Sequence, residues 1–253
     1  MDLGISGKRA AVAAASGGLG LATAQALVDA GVRVAICGRD ARRLVDAVAH
    51  LKAISPSAEV VAITSDVSSL EGATGFVDEA ADQLGRLDIL VTNAGGPPAG
   101  TFASLDLDAY LPALELNLLS TVAMCHAAVP AMVDRGWGRV VAITSATVRQ
   151  PSPVLMLSNT ARAGATAFLK TLATEVAPHG VTVNSVQPGS HDTDRLRQLH
   201  GGDTAAAARA IPTGVLGRPE DFGAVAAFLC SDQARFITGA AIPVDGGAVK
   251  GLQ

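Results

Sequence analysis

Short apolar runs alternate with longer segments of helical spacing along nearly the whole chain. Lys8–Ala14 (KRAAVAA), Val32–Cys37, Val60–Thr64, Leu87–Thr92 (LDILVT), Arg139–Thr144 (RVVAIT), Val181–Val186 (VTVNSV) and Ala240–Val244 read as strands. Helical spacing falls on Leu19–Ala30, Arg42–Ile54 and Leu70–Leu84, on a long segment after a Gly/Pro loop to about Val133, and on about Pro153 to Val176. The strands are continuous apolar runs without polar alternation, as expected of a parallel sheet covered on both faces. Strands and helices alternating in this way imply right-handed crossovers, so the expected fold is α/β, a doubly wound parallel sheet of seven strands. No internal repeat, low-complexity tract or linker interrupts it, and residues 1–253 are expected to form one domain. In such folds ligands bind at the carboxyl ends of the strands, near the point where strand order reverses.

Composition narrows the function classes. Apolar residues make up 49% of the 253, yet no run approaches the roughly 18 consecutive apolar residues that suggest a membrane span. The opening MDLGISGKR has an early acid and no apolar core, so neither a signal nor a transit peptide is expected. A net charge of −4 with no basic tract argues against nucleic acid as partner, and 3% aromatic residues argue against base stacking. Cys37, Cys125 and Cys230 are far apart, without metal-ligand spacing, and read as reduced core thiols. The expectation is a cytoplasmic, metal-free protein acting on a small molecule.

The first strand leads through Ala14-Ala15-Ser16-Gly17-Gly18-Leu19-Gly20 straight into a helix. Backbone N–H groups there, with the positive helix end near Leu19, can hold a pyrophosphate. The glycines alone would also suit an ordinary tight turn; their place after the first strand favours a dinucleotide. The second strand ends in Cys37-Gly38-Arg39-Asp40, with Arg42 and Arg43 close behind. An arginine at that point can fork onto a 2′-phosphate, favouring NADP(H) over NAD(H), although arginines there could simply be solvated.

The chain resembles the short-chain dehydrogenase/reductase family, especially 3-oxoacyl-acyl-carrier-protein reductases. The stretches that carry the resemblance are AAASGGLG (13–20), SDVS (65–68), TNAGG (92–96), NLLS (117–120), ITSAT (143–147), VTVNSVQPG (181–189), GRPEDFG (217–223) and FITGAAIPVDGG (236–247). The resemblance implies a Rossmann-like sheet and assigns roles. Asp66 and Val67 would hold the adenine; Asn93, Ala94 and Gly95 would line the adenosine side; Pro188, Gly189 and Thr193 would contact the nicotinamide end. Asn117 would kink its helix and support a proton-relay water, and Ser145 would hydrogen-bond the substrate carbonyl. It also implies a homotetramer packed through the two long helices.

Two positions depart from the family pattern. Thr-Gly is usual where this chain has Ala13-Ala14, which narrows the approach to the cofactor. The family's Tyr-x-x-x-Lys pair, its tyrosine thirteen residues after the active-site serine, falls here on Ser158 and Arg162. The only tyrosine, Tyr110, lies on another helix, where a core or interface role is expected. In the family the lysine lowers the tyrosine's pKa so that it acts as general acid. A serine is a much weaker acid and an arginine stays protonated, so the pair is a poor proton donor but a good electrostatic one. The expectation is therefore NADPH-dependent reduction of a carbonyl with Ser145, Ser158 and Arg162 polarising the oxygen. The proton would come from water through Asn117, or from His191, although an exposed loop histidine is the plainer expectation for that residue. A non-redox dehydratase, isomerase or cyclase, and a catalytically silent NADP(H)-binding sensor or partner protein, remain alternatives. Loops 95–102, 147–157 and 191–215 should surround the substrate. Leu155, Met156 and Leu157 are candidates for an apolar wall or for helix packing, and Arg149 for an anionic contact or for solvation.

Overall fold

A computed structural model describes residues 2–199 and 201–252 of the protein. Its strands are β1 (Arg9–Val12), β2 (Arg33–Gly38), β3 (Val60–Thr64), β4 (Ile89–Thr92), β5 (Gly138–Ile143), β6 (Val181–Pro188) and β7 (Ala241–Val244). They pair in parallel throughout, in the order β3-β2-β1-β4-β5-β6-β7. This is the seven-stranded, doubly wound sheet expected from the pattern. The order reverses between β1 and β4, which opens a crevice at their carboxyl ends.

The helices are α1 (Gly18–Asp29), α2 (Ala41–Ile54), α3 (Leu70–Leu84), α4 (Tyr110–Leu114), α5 (Ser120–Asp134), α6 (Met156–Val176), α7 (Asp194–Leu199), α8 (Ala205–Arg209) and α9 (Pro219–Leu229). Successive strand residues face opposite layers, and both layers are apolar, which is why the runs show no alternation. Ala10, Val12, Val34, Ile36 and Ile89 pack under α1, α2 and α9, burying Leu27, Leu44 and Phe222. Ala11, Ala35, Cys37, Leu90 and Val140 pack under α3, α5 and α6, burying Phe76, Met124 and Leu169. Cys37, Cys125 and Cys230 are free and buried, and burial pushes each thiol up to about 12.

Several boundaries differ from expectation. β1 stops at Val12, because Ala14 turns into the left-handed region with φ 48°. β6 extends to Pro188, held there by its pairing with Val244. The long helix expected to reach Val133 runs to Asp134 but is distorted, a five-residue π turn, Glu115–Leu119, joining α4 to α5. α6 begins at Met156, not near Pro153. α9 has no counterpart among the expected helices, although Pro219 at its start, Glu220 and Asp221 in its first turn and the apolar residues after them mark it. It crosses α1 so closely that a Cβ on Gly223 would lie 2.3 Å from the Ala22 carbonyl oxygen.

No run of roughly 18 consecutive apolar residues occurs, but a helix can be long and apolar enough to span a membrane without one. Leu107–Asp134 forms one helical stretch long and apolar enough to do so by length and composition, with an 18-residue window of mean hydropathy 1.5. Glu115 and Asn117 interrupt its apolar run, which hides it from a search for consecutive apolar residues. In this fold 44% of that window is buried, chiefly where α5 packs on α3 and the sheet.

Candidate active site

The glycine-rich turn sits at the reversal crevice, after β1. Gly17 caps α1 without any side-chain hydrogen bond, and the first turn of α1 carries no acid. Its leading N–H groups, around Gly18, Leu19 and Gly20, therefore remain as a positive, donor-rich end. The turn is closely packed from behind. A Cβ on Gly20 would lie 2.6 Å from the Ala14 carbonyl oxygen, to which Asn93 Nδ2 donates at 3.2 Å. Ser16 tucks under the end of β2, where a Cβ on Gly38 would lie 3.0 Å from its Oγ. Left-handed geometry costs an alanine about 1 kcal/mol that a glycine avoids. Ala14→Gly is accordingly expected to leave the melting temperature within a few degrees, since the mutant's looser unfolded chain offsets the relief. Removal of the methyl should tighten binding of a nicotinamide dinucleotide several-fold, as read by fluorescence titration; unchanged or weaker binding would show that Ala14 does not restrict the site.

Arg39 follows β2 directly, 77% exposed, with Nη1 4.0 Å from Asp66 Oδ2. The neighbouring carboxylate, Asp40, is turned away to cap α2, accepting from the Arg42 and Arg43 backbone N–H groups at 2.8 and 3.3 Å. Asp66 Oδ1 accepts from Ser68 N at 3.0 Å, and Val67 beside it is buried. Arg43 reaches back over the turn: its Nη2 lies 2.9 Å from the place a Gly17 Cβ would take, and 3.9 Å from Asp194 Oδ2.

Across the crevice, Ser145 follows β5 and caps a short 3-10 turn, Ala146–Val148. Its Oγ accepts from Thr147 N at 3.1 Å and shares a 2.9 Å hydrogen bond with Thr147 Oγ1. Thr147 was expected only as the first residue of a loop around the substrate, with no role of its own; its hydroxyl two positions after Ser145 was the available signal. Arg162 Nη1 donates to the carbonyls of Ile143 and Thr144 at 2.9 and 3.0 Å, fastening α6 to the end of β5. The guanidinium is thereby held beside Ser145, with its other N–H groups making no protein hydrogen bond among the described residues. Burial, and secondarily the charge of Arg195, hold its pKa down to about 10, which still leaves a cation at neutral pH. Ser158 lies one turn earlier on α6, half-buried. Asn117 sits in the π turn, buried; its Nδ2 donates to Gly95 O at 2.8 Å, while its buried Oδ1 has no protein partner.

The segment after β6 closes the third side. Gly189 N donates to Val244 O at 3.0 Å, and a Cβ there would lie 2.8 Å from Asp245 Cα. Thr193 returns toward the glycine-rich turn, its Cγ2 3.8 Å from the position of a Gly18 Cβ. His191 corrects the expectation of an exposed loop histidine. It is 4% exposed, bridges in parallel to Gly217, packs edge-on against Phe222 at 5.3 Å and lies 3.2 Å (Nδ1) from Gly189 O. Burial lowers its pKa, so it is a neutral latch at the base of the 191–217 loop. Arg149 is exposed, as expected of a loop arginine, but its donors are engaged: it donates to Gln187 Oε1 at 2.7 Å and to Ala241 O at 2.6 Å, tying β6 to β7. Leu157 belongs to the buried core, and Leu155 bridges to Gly100. Tyr110 stands at the start of α4, half-buried.

The uncapped turn, the arginine after β2 and the Ser145–Arg162 assembly thus open on one carboxyl edge of one sheet, and they fit a dinucleotide laid across it. A family model described as enoyl-(acyl carrier protein) reductase matches residues 13–249. A 3-oxoacyl-acyl-carrier-protein reductase of Aquifex aeolicus is 32% identical over 247 residues, covering 98% of this chain and 99% of that one. The chain belongs to the short-chain dehydrogenase/reductase family. Two solved relatives within this family are similar over nearly their full length. L-sorbose reductase from Gluconobacter frateurii, complexed with NADPH and L-sorbose, superposes with a TM-score of 0.92 at 32% identity, covering all of both chains. An NADPH-bound short chain oxidoreductase from Pseudomonas aeruginosa, described as containing an atypical catalytic center, superposes with a TM-score of 0.91 at 33% identity. That alignment covers 97% of this chain and 98% of the relative.

Proposed function

We propose that this short-chain dehydrogenase/reductase is an NADPH-dependent carbonyl reductase whose active site polarises the carbonyl without a phenolic proton donor. The observation that carries this is Arg162, clamped by two carbonyls beside Ser145 with its remaining donors free. NADPH, when bound, supplies the hydride. The uncapped end of α1 would hold its pyrophosphate, and Arg39 its 2′-phosphate. Asp40, spent on capping α2, is not placed to repel that phosphate. Asp66 and Val67 would border the adenine, Asn93, Ala94 and Gly95 its ribose side, and Pro188, Gly189 and Thr193 the nicotinamide.

Ser145 and Ser158 donate neutral hydrogen bonds to the substrate oxygen, and Arg162 provides fixed positive charge as that oxygen becomes an alkoxide. Two serine hydroxyls and a guanidinium that stays protonated up to about pH 10 are poor proton donors near neutral pH. The proton comes from water, for which the free Asn117 Oδ1 is a buried acceptor. We further propose a homotetramer, in line with the family resemblance: within one chain Leu119, Val122 and Ala123 around the start of α5 are only half-buried. Light scattering at one chain mass would sink that proposal.

The test of the activity is to incubate the protein with NADPH or NADH and a panel of aldehydes, ketones and oxo acids, following nicotinamide absorbance. Consumption of NADPH in preference to NADH supports the reductase. Tight binding without oxidation points instead to a sensor or partner protein, the outcome favoured by the missing phenol if water cannot replace it. Product formed with no net cofactor change identifies a non-redox enzyme.

A further inference from the structure

The charges around α7 are matched to one another with one exception. Arg197 pairs with Asp192 at 2.7 Å and with Asp194 at 2.9 Å, and Asp194 also faces Arg43. Arg195 has no carboxylate within ion-pair distance among the described residues. Its guanidinium instead lies on Gly96, with Nη2, Nε and Cζ 2.9, 3.0 and 3.1 Å from where a Cβ would be, and Nη2 donates to Pro97 O at 2.8 Å. Any larger residue at 96 would displace it. That single bond leaves most of the guanidinium's five N–H donors uncommitted.

The position is at the mouth of the catalytic end, not over the phosphate turn. Gly96 follows Gly95, whose carbonyl is bound by Asn117, whereas Arg43 and Thr193 are the groups that reach the glycine-rich turn. Arg195 is near enough for its charge to disfavour protonation of Arg162. Arg162 likewise has no acid partner among the described residues. Both guanidinium groups thus stand at the catalytic end without a carboxylate partner among the described residues, Arg162 half-buried and Arg195 exposed, so an anion entering there has charged donors to meet. The contact with Gly96 and Pro97 uses one edge of the guanidinium, while the buried Leu196 and the two ion pairs of Arg197 also anchor α7, so the remaining Arg195 donors are not needed to hold the helix.

We propose that Arg195 holds a carboxylate of the substrate, and that this enzyme acts on oxo acids whose carbonyl faces Ser145 and Arg162. The carboxylate accepts two parallel N–H bonds from the Arg195 fork, which lysine could not reproduce. The carbonyl part of the proposal rests on the reductase function above; the anion part does not.

The experiment uses 2-, 3- and 4-oxo acids and their methyl esters as matched probes, with two readouts. Turnover is followed by NADPH absorbance, and acid binding to the enzyme–NADP⁺ complex by calorimetry. The best acid should exceed its ester at least tenfold in kcat/KM. Arg195→Ala should collapse that ratio toward one through a rise in KM for the acid, and Arg195→Lys should recover only part of it. Acids that bind Arg195-dependently without turnover would sustain the anion site while removing the reductase function. Esters reduced as well as acids would overturn the anion site while leaving the reductase standing. Absence of acid binding altogether, or an Arg195→Ala variant that weakens NADPH binding as much as acid binding, would also overturn it.

Discussion

Replacing Arg162 by methionine is expected to lower kcat/KM for the best carbonyl substrate about 100- to 1,000-fold, the usual effect of deleting one preorganised donor from an oxyanion site. Methionine matches the aliphatic stem but offers neither the fixed charge nor the bonds to the Ile143 and Thr144 carbonyls. NADPH affinity should fall less, because the uncapped α1 terminus and Arg39 lie elsewhere. The wild-type rate should depend little on pH around neutrality and decline as pH rises through about 10, where Arg162 loses its proton. The sign follows from its role: the cation is the active form, present below that pKa and lost above it. A variant with unchanged turnover would remove Arg162 from the mechanism.

The double substitution Ser158→Tyr with Arg162→Lys is expected to do the opposite. A phenol one helical turn before an ammonium restores a general acid whose contribution is typically about 100- to 10,000-fold. The gain should appear in kcat, and the rate should acquire a new dependence on pH as the phenol titrates. If the double variant is no faster than wild type, the proton was never limiting, and a water-fed route is sufficient. Measuring both variants on one substrate separates the two roles: charge stabilisation is lost in the first, proton donation gained in the second.

The sheet was legible in the sequence because its central strands are buried on both faces, so β1, β2, β4 and β5 are largely apolar runs, whereas β6 carries Thr182, Asn184 and Ser185 and β3 is partly exposed. The crossing of Ser145 with Arg162 followed from spacing alone, given the family resemblance. What the pattern missed has particular causes. The periodicity gave no sign of the π turn at Asn117, whose residues are ordinary helix formers; the family resemblance implied a kink there, and the hydrogen bond from Asn117 to Gly95 O, a tertiary contact, accompanies it. His191 was expected in solvent because it follows Pro188-Gly189-Ser190. Its burial depends on Gly217 and Phe222, more than twenty residues downstream. Arg149 and Arg195 are both loop-flanking arginines in sequence. Only three dimensions show that one bonds to Gln187 and Ala241 while the other has no acid to meet.

The latch formed by His191 and Gly217 has an evolutionary consequence. Ser190 O accepts from Gly217 N at 3.0 Å and Gly217 O from Asp192 N at 2.9 Å, so the two ends of the intervening loop are stapled together before any of its interior residues matter. With the ends fixed, changes of sequence or length inside the loop carry only the weak, logarithmic closure penalty of a tethered chain. The α1–α9 crossing that supports the glycine-rich turn is completed outside it. Thr193 and Asp194 reach the glycine-rich turn and Arg43 and are fixed with the staple, so the loop interior beyond them is the replaceable cassette in which, on the proposed function, substrate preference can be rewritten by drift or by grafting.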